Sequence, residues 1–244
     1  MTNSSSNLHL SSEVSKMKVA SLFSGGKDSA YSLWFAQMQG WDVQVLVTVF
    51  PEASDSWMFH YPALKWTPLQ AKAIGIRQVV VPTSGVKEKE LEDLAQALDK
   101  LKKSDGIEGI VSGAIASEYQ RTRFDNLCEY LGLRSFAPLW HKNQTQLVSD
   151  EVEAGFEIIV TACNALGLNQ NWLGRQLGLV EVKELVKLNE KYSLSVALEG
   201  GEGETFVLAG PCFKTRLTVV RATPHWRVDS GYLELEEVKA VVRD

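Results

Sequence analysis

The apolar run Val19-Ala20-Ser21-Leu22-Phe23 passes directly into Ser24-Gly25-Gly26-Lys27-Asp28-Ser29, after which Ala30, Leu33, Trp34 and Met38 recur at helical spacing until Gly40. A buried strand entering a helix through two adjacent glycines is half of a βαβ unit, the element from which parallel sheets covered on both faces are built. The glycines let the backbone approach a ligand with no Cβ in the way, and the first N–H groups and positive dipole end of the helix point at the same spot. An anion belongs there. Lys27 adds a mobile positive charge, which is expected to face a phosphate rather than pack in a core. Ser24 and Ser29 add hydroxyl donors. Asp28 adds a carboxylate that either caps the helix or stands near a magnesium ion.

Two commoner nucleotide signatures fail on spacing. A Walker loop needs glycine where this chain has Ser21, and Ser or Thr where it has Asp28. The dinucleotide fingerprint needs three staggered glycines, and only the adjacent pair is present. What remains resembles the PP-loop of the ATP pyrophosphatase superfamily. That resemblance implies that the loop holds the β and γ phosphates of ATP while a nucleophile attacks the α phosphorus.

From Met17 onward strand and helix signals alternate. Strands are expected at Val43 to Phe50, Arg77 to Val81 and around Gly109-Ile110-Val111. Helices are expected from Thr67-Pro68 to Gly75, over Val86 to Lys103 with Leu91, Leu94, Leu98 and Leu101 inward, and from about Glu118 to Leu131. On the last of these, Cys128 shares the apolar face of Phe124, Leu127 and Leu131, which makes it a core residue rather than a nucleophile. The pattern predicts an α/β fold, a Rossmann-like, doubly wound parallel sheet in the order 3-2-1-4-5, and the PP-loop resemblance implies that it is of the PP-loop (HUP) type. Its ligand crevice then lies between strands one and four, where Ser112 to Ser117 follows strand four and Gln120 and Arg123 come within reach. Arg123 is equally read as an exposed helix arginine covering a carboxylate.

After Pro138-Leu139-Trp140 the composition changes and a smaller α+β region is expected, so the division is a tail over 1–16, an ATP-binding domain over 17–137 and a substrate domain over 138–244. In that region Phe156 to Val160 reads as a strand, Leu173 to Leu177 and Val182 to Tyr192 as helical, and the end from Phe206 as β-like and turn-rich. Its most distinctive stretch is Glu199-Gly200-Gly201-Glu202-Gly203-Glu204-Thr205, with three carboxylates and three glycines. Such a loop is either a solvated hairpin or a source of carboxylates for a metal, a cation or a proton. The serine-rich tail reads as disordered, with Met17 as an alternative start.

The net charge of −5 over 244 residues argues against a broad nucleic-acid footprint. No apolar run approaches membrane-spanning length. Cys128, Cys163 and Cys212 form neither a CxxC pair nor a disulfide framework, which suits a reducing cytoplasm. The four histidines, His9, His60, His141 and His225, lack metal-ligand spacing.

Taken together, Ser24 to Ser29, Gly113 to Gln120 with Arg123, Pro138-Leu139-Trp140, Trp172-Leu173-Gly174-Arg175 and Glu199 to Thr205 followed by Gly210-Pro211 resemble, in order, the diphthine–ammonia ligase family. The likeness runs from Met17 to roughly Phe213 and is closest to the family's short form. It departs at Ala114, where many members carry an acidic residue.

The resemblance implies an ATP- and Mg2+-dependent ligase that adenylates the diphthine carboxylate on translation elongation factor 2. Ammonia, supplied as free ammonium, then displaces AMP. Lys27, Asp28, Glu202 and Glu204 are the implied catalytic residues, and Ser24, Gly25, Gly26, Lys27, Asp28, Ser29 and Gly113 the implied nucleotide-binding ones. Ser117, Tyr119, Gln120, Arg123, Glu199, Gly200, Gly201 and Thr205 are implied for substrate. Amidation of another carboxylate and tRNA thiolation stay open as alternatives, as does a nucleotide-sensing module that binds ATP without cleaving it. Self-association into a homo-oligomer is equally open.

Overall fold

The computed structural model describes residues 16–51, 63–84 and 87–242, leaving the side chains of 87–89 and 120 aside. The expectations for the tail, for His60 and for a helix start at Val86 lie outside these residues. Five parallel strands, β1 (Lys18–Leu22), β2 (Asp42–Pro51), β3 (Gln78–Thr83), β4 (Gly109–Val111) and β5 (Arg134–Phe136), stand in the order β3-β2-β1-β4-β5. This is the doubly wound order that the strand–helix alternation predicts.

The strand period of two sorts the central strands between two cores. Val19 and Leu46 face α1 (Lys27–Met38) and α2 (Thr67–Ile74), whereas Ala20, Val45 and Val47 face α3 (Lys87–Asp105) and α4 (Glu118–Leu131). Leu94, Leu98, Leu101, Phe124 and Cys128 fill that second core as their helical spacing requires. Met38 departs from its expected stripe and is 65% exposed, because α1 ends there and Gly40 (φ 75°) turns the chain away. Thr67 is the first residue of α2 rather than its cap: its hydroxyl donates 2.8 Å to the Leu64 carbonyl in the 3-10 turn Leu64–Trp66.

The remaining chain builds a four-stranded antiparallel sheet in the order β7-β6-β9-β8 from β6 (Glu157–Cys163), β7 (Gly203–Ala209), β8 (Thr215–Arg227) and β9 (Ser230–Val242). Two helices accompany it, α5 (Gln144–Glu153) and α6 (Leu179–Tyr192). The sequence reading misses α5, whose start is marked by the Asn143 side chain accepting from the Gln146 N–H at 3.0 Å. The expected helix over Leu173 to Leu177 does not form. Gly174 takes φ 80°, and Gly174 N–H and Leu177 N–H bond to Val160 and Ile158 of β6 instead of continuing a helix.

The two sheets share one continuous core, with β1 and α1 on one side and β6, β7 and β9 on the other. The aromatic triad Tyr31, Trp34 and Phe156 lies across it, with ring centroids 5.5 to 6.0 Å apart. Short α2 works as a rivet: Trp66 Nε1 donates 2.8 Å to the Leu235 carbonyl, and Lys214 N–H donates 2.8 Å to the Ala73 carbonyl.

The β4 turn meets the start of α1 as closely as backbones can. A Cβ on Gly113 would stand 2.8 Å from both the Asp28 carbonyl carbon and the Ser29 nitrogen. Gly113→Ala should therefore push β4 and α1 apart, costing about 1–3 kcal/mol by overpacking. Urea unfolding would register this as a lowered midpoint, and an unchanged midpoint would show that the contact gives way without strain.

Candidate active site

The loop Ser24 to Ser29 is pinned from two sides. Within it, Gly25 adopts φ 83°, and Ser29 Oγ donates 2.9 Å to the Gly26 carbonyl while accepting from the Ser24 N–H at 3.3 Å. From the second sheet, Thr205 Oγ1 accepts the Lys27 N–H at 3.1 Å and Val207 N–H donates 3.1 Å to the Gly25 carbonyl. Buried Gln70 of α2 ties the two together through its Nε2, 2.9 Å from the Gly25 carbonyl and 2.8 Å from that of Val207. The α1 N-terminus is thus capped by Thr205, not by Asp28, whose carboxylate turns to Lys27 instead.

Lys27 is expected as a mobile charge kept out of the core, but it is 1% exposed. Its Nζ lies 2.6 Å from Asp28 Oδ1 and 3.9 Å from Glu151 Oε2. Burial works against the ammonium, yet Asp28 and Glu151 outweigh it and hold Lys27 above the ordinary lysine range. Glu151 itself is fully buried on α5, and neither carboxylate oxygen has a hydrogen-bond partner among the described residues. Burial, with Asp28 adding to it and Lys27 opposing, raises it well above the usual carboxylate range.

The glycine-rich acidic stretch closes the cluster. Gly200 (φ 70°) and Gly201 (φ 83°) turn the chain so that β7 starts at Gly203 and runs past the PP-loop. Glu199 and Glu204 are each pushed up to about 7, first by burial and then by the negative charge of Asp28. Glu202 points elsewhere: its Oε2 accepts the Ser195 N–H at 2.5 Å, bracing the loop. At the start of α4 the guanidinium of half-buried Arg123 lies 4.2 Å from the ring centroid of exposed Tyr119. The structure therefore brings Lys27, Asp28, Glu199, Glu204 and Thr205 into one site, adds Glu151, and keeps Glu202 in a bracing contact.

Comparison with known proteins gives the family. Residues 17–135 match the diphthamide synthase N-terminal domain and residues 143–241 the diphthamide synthase C-terminal domain. The chain is 36% identical over 222 residues to the diphthine–ammonia ligase of Rattus norvegicus and 34% over 225 residues to that of Homo sapiens, covering 83% of both chains in each case. It belongs to the diphthine–ammonia ligase family. The relative from Schizosaccharomyces pombe is 35% identical over 246 residues, which are 93% of this chain and 40% of that protein.

Several stretches that carry the family likeness serve the scaffold. Arg175 grips Glu181 and Glu184 at 2.6 to 3.1 Å and lies 4.7 Å from the Trp172 ring centroid, which ties the 3-10 turn Gln170–Trp172 to α6. Leu139 is fully buried, and the adjacent His141 N–H donates 2.8 Å to the Ile115 carbonyl, holding the β4 turn. All three cysteines are buried, and burial pushes the Cys128 and Cys163 thiols up to about 11 and about 12. Among the described residues no group of three His, Cys, Asp or Glu is placed to hold a metal ion, and no helix is long and apolar enough to cross a membrane.

Gln70 and Glu151 escaped the sequence reading, although each leaves a trace there. Gln70 sits beside Ala71 and Ile74 on a buried helix face, and Glu151 follows Leu147 and Val148 at helical spacing. A polar residue inside an apolar stripe is the signal.

The cluster has a pH signature with a definite sign. A carboxyl whose folded pKa is raised binds its proton more tightly in the folded chain, so its contribution to stability falls as pH rises from the unfolded value toward about 7. Glu204→Gln removes that loss. It should stabilise the protein at pH 8 by about 1–2 kcal/mol and by little at pH 4.5. Urea midpoints at the two pH values check this, and equal shifts at both would show that the Glu204 charge is not the cause.

Proposed function

We propose that this protein is an ATP-dependent ligase that converts the diphthine carboxylate of translation elongation factor 2 into an amide, with ammonium as nitrogen source and AMP and pyrophosphate as products. The observation that carries the reading is the meeting of a PP-loop from the parallel sheet with Glu199 and Glu204 from the antiparallel one, around the buried ammonium of Lys27. A phosphate cradle and a pair of proton-accepting carboxylates are the two requirements of adenylation followed by amidation.

In the first half-reaction the triphosphate lies along Ser24 to Ser29, with Gly25 and Gly26 giving the backbone close approach. A diphthine oxygen attacks the α phosphorus, the bond to the bridging oxygen breaks, and pyrophosphate leaves with the electron pair. Lys27 stabilises the charge growing on that leaving group. Asp28 would help hold a magnesium ion brought with the nucleotide, and that ion would neutralise phosphate charge. In the second half-reaction ammonium gives up a proton, its nitrogen bonds to the acyl carbon, the bond to AMP breaks with the pair leaving on phosphate, and the nitrogen loses a second proton to leave the neutral amide. Glu204, with a pKa of about 7, is partly ionised at neutral pH and is a stronger base than an ordinary carboxylate. The acceptor enters past the Tyr119 and Arg123 pair, and the working compartment is the cytoplasm. Thiolation is disfavoured because the buried Cys128 and Cys163 are held as thiols.

Incubating the enzyme with diphthine-bearing elongation factor 2, ATP, magnesium and ammonium should lower the acceptor's mass by the difference between hydroxyl and amino groups, one AMP per amide. A variant with Cys128, Cys163 and Cys212 all replaced by Ala should retain that product. Glu204→Gln should lose about 10²- to 10⁴-fold in turnover while still binding ATP, the usual range for a lost general base. A cysteine-dependent product, or ATP cleavage stimulated by tRNA and not by the elongation factor, would replace this reading.

A further inference from the structure

Thr161 lies in β6 at a bulge, where the β6–β7 pairing steps from Val160 opposite Thr205 to Ala162 opposite Glu204. A bulge leaves one residue without a partner across the ladder and re-aims its side chain, and bulges are common next to active sites. The Thr161 side chain is completely buried, and its hydroxyl has no hydrogen-bond partner among the described residues. Buried hydroxyls are almost always bonded, because leaving one unmade sacrifices its hydration for nothing. Together with Ser24, Gly26, Leu64, Glu204 and Thr205, Thr161 lines a recess between the PP-loop and the second sheet.

We propose that this recess is the ammonium subsite of the ligase, an assignment that rests on the function proposed above. The lining selects the ligand. The Thr161 and Ser24 hydroxyls have lone pairs to offer, Glu204 brings negative charge, and Leu64 supplies an apolar wall. A small cation with N–H donors answers all three. A phosphate would face the Glu204 charge directly, and a quaternary ammonium group has no N–H to give Thr161.

The recess borders Gly26 of the phosphate cradle, so nitrogen held in it stands beside the nucleotide. Thr161 accepts one N–H and orients the nitrogen while Glu204 takes another proton. The freed lone pair then forms the C–N bond as the C–O bond to AMP breaks with its electron pair, and a second proton passes from nitrogen to solvent. Glu204 thereby acquires a neighbour that the acidic loop alone does not reveal, since Thr161 stands 38 or more positions before that loop in the chain.

Thr161→Val keeps the shape and removes the lone pairs, and Thr161→Ser keeps the hydroxyl. With diphthine-bearing elongation factor 2, ATP and ammonium chloride, the valine variant should show an apparent KM for ammonium about tenfold higher, the loss of one hydrogen bond to a charged donor. Its KM for ATP and its turnover at saturating ammonium should stay near wild type, and the serine variant should recover most of the affinity. As a readout independent of turnover and of any variant's folding, ammonium chloride should raise the melting temperature of the wild-type protein with ATP bound. Tetramethylammonium chloride at equal ionic strength should not. An unchanged ammonium KM in the valine variant, with amide still made, would overturn the subsite and leave the ligase reading standing. A serine variant as poor as valine, or equal thermal shifts from both salts, would do the same. Failure of the wild-type enzyme to make any ammonium-dependent amide would overturn both.

Discussion

One buried ammonium organises this molecule. Lys27 is held at the junction of two sheets by Asp28 at 2.6 Å and Glu151 at 3.9 Å, with Glu199 and Glu204 close enough to act on its titration environment. Removing charges from water is costly, and an ion pair repays that cost only when the balance of charge is right. Here one cation stands against four carboxylates, and burial first, with the negative charge of Asp28 adding to it, makes Glu151, Glu199 and Glu204 hold protons well above the usual carboxylate range. A polyphosphate entering alone would add to the excess of negative charge. Anion and cations are therefore favoured to enter together, which is the combination that an ATP-dependent amidation requires.

The same junction makes the two sheets interdependent. The PP-loop gets its shape from its own glycines and serines, but its position relative to the carboxylates comes from Thr205, Val207 and Gln70. A Cβ at Gly25 would stand 2.2 Å from Gln70 Oε1, and one at Gly26 would stand 3.3 Å from Thr205 Oγ1. Glycine is required at Gly25 both for its φ of 83° and for this approach of a second element. The loop is thus a ligand cradle on one side and a packing surface on the other, which ties the geometry of phosphate binding to the placement of the acidic loop.

Four scaffold contacts keep that geometry rigid without touching the reacting groups. Trp66 and Lys214 fasten α2 to the second sheet, Arg175 clamps α6 to the turn before it, and Glu202 braces the acidic loop through the Ser195 N–H. The assignment of Glu202 shows how composition and geometry divide the work. Three carboxylates in a short glycine-rich stretch have the same chemistry, and only the direction in which each leaves the backbone separates Glu199 and Glu204 from Glu202.

The amino-acid sequence by itself determined the strand–helix alternation, the PP-loop, the inner faces of α3 and α4 and the acidic stretch, because these follow from periodicities and turn residues that act over a few positions. It misjudged Leu173 to Leu177 and passed over α5, where backbone bonding to β6 and an uneven apolar stripe override local propensity. Only the tertiary structure decided that Lys27 is buried, that Glu151 joins it from α5, that Gln70 staples the loop, and that Thr161 lines a recess with its hydroxyl unbonded among the described residues. Each of these depends on residues 43 to 178 positions apart meeting in a volume that water has left. Electrostatic strength and hydrogen-bond satisfaction are set by that volume, and no local pattern along the chain encodes it.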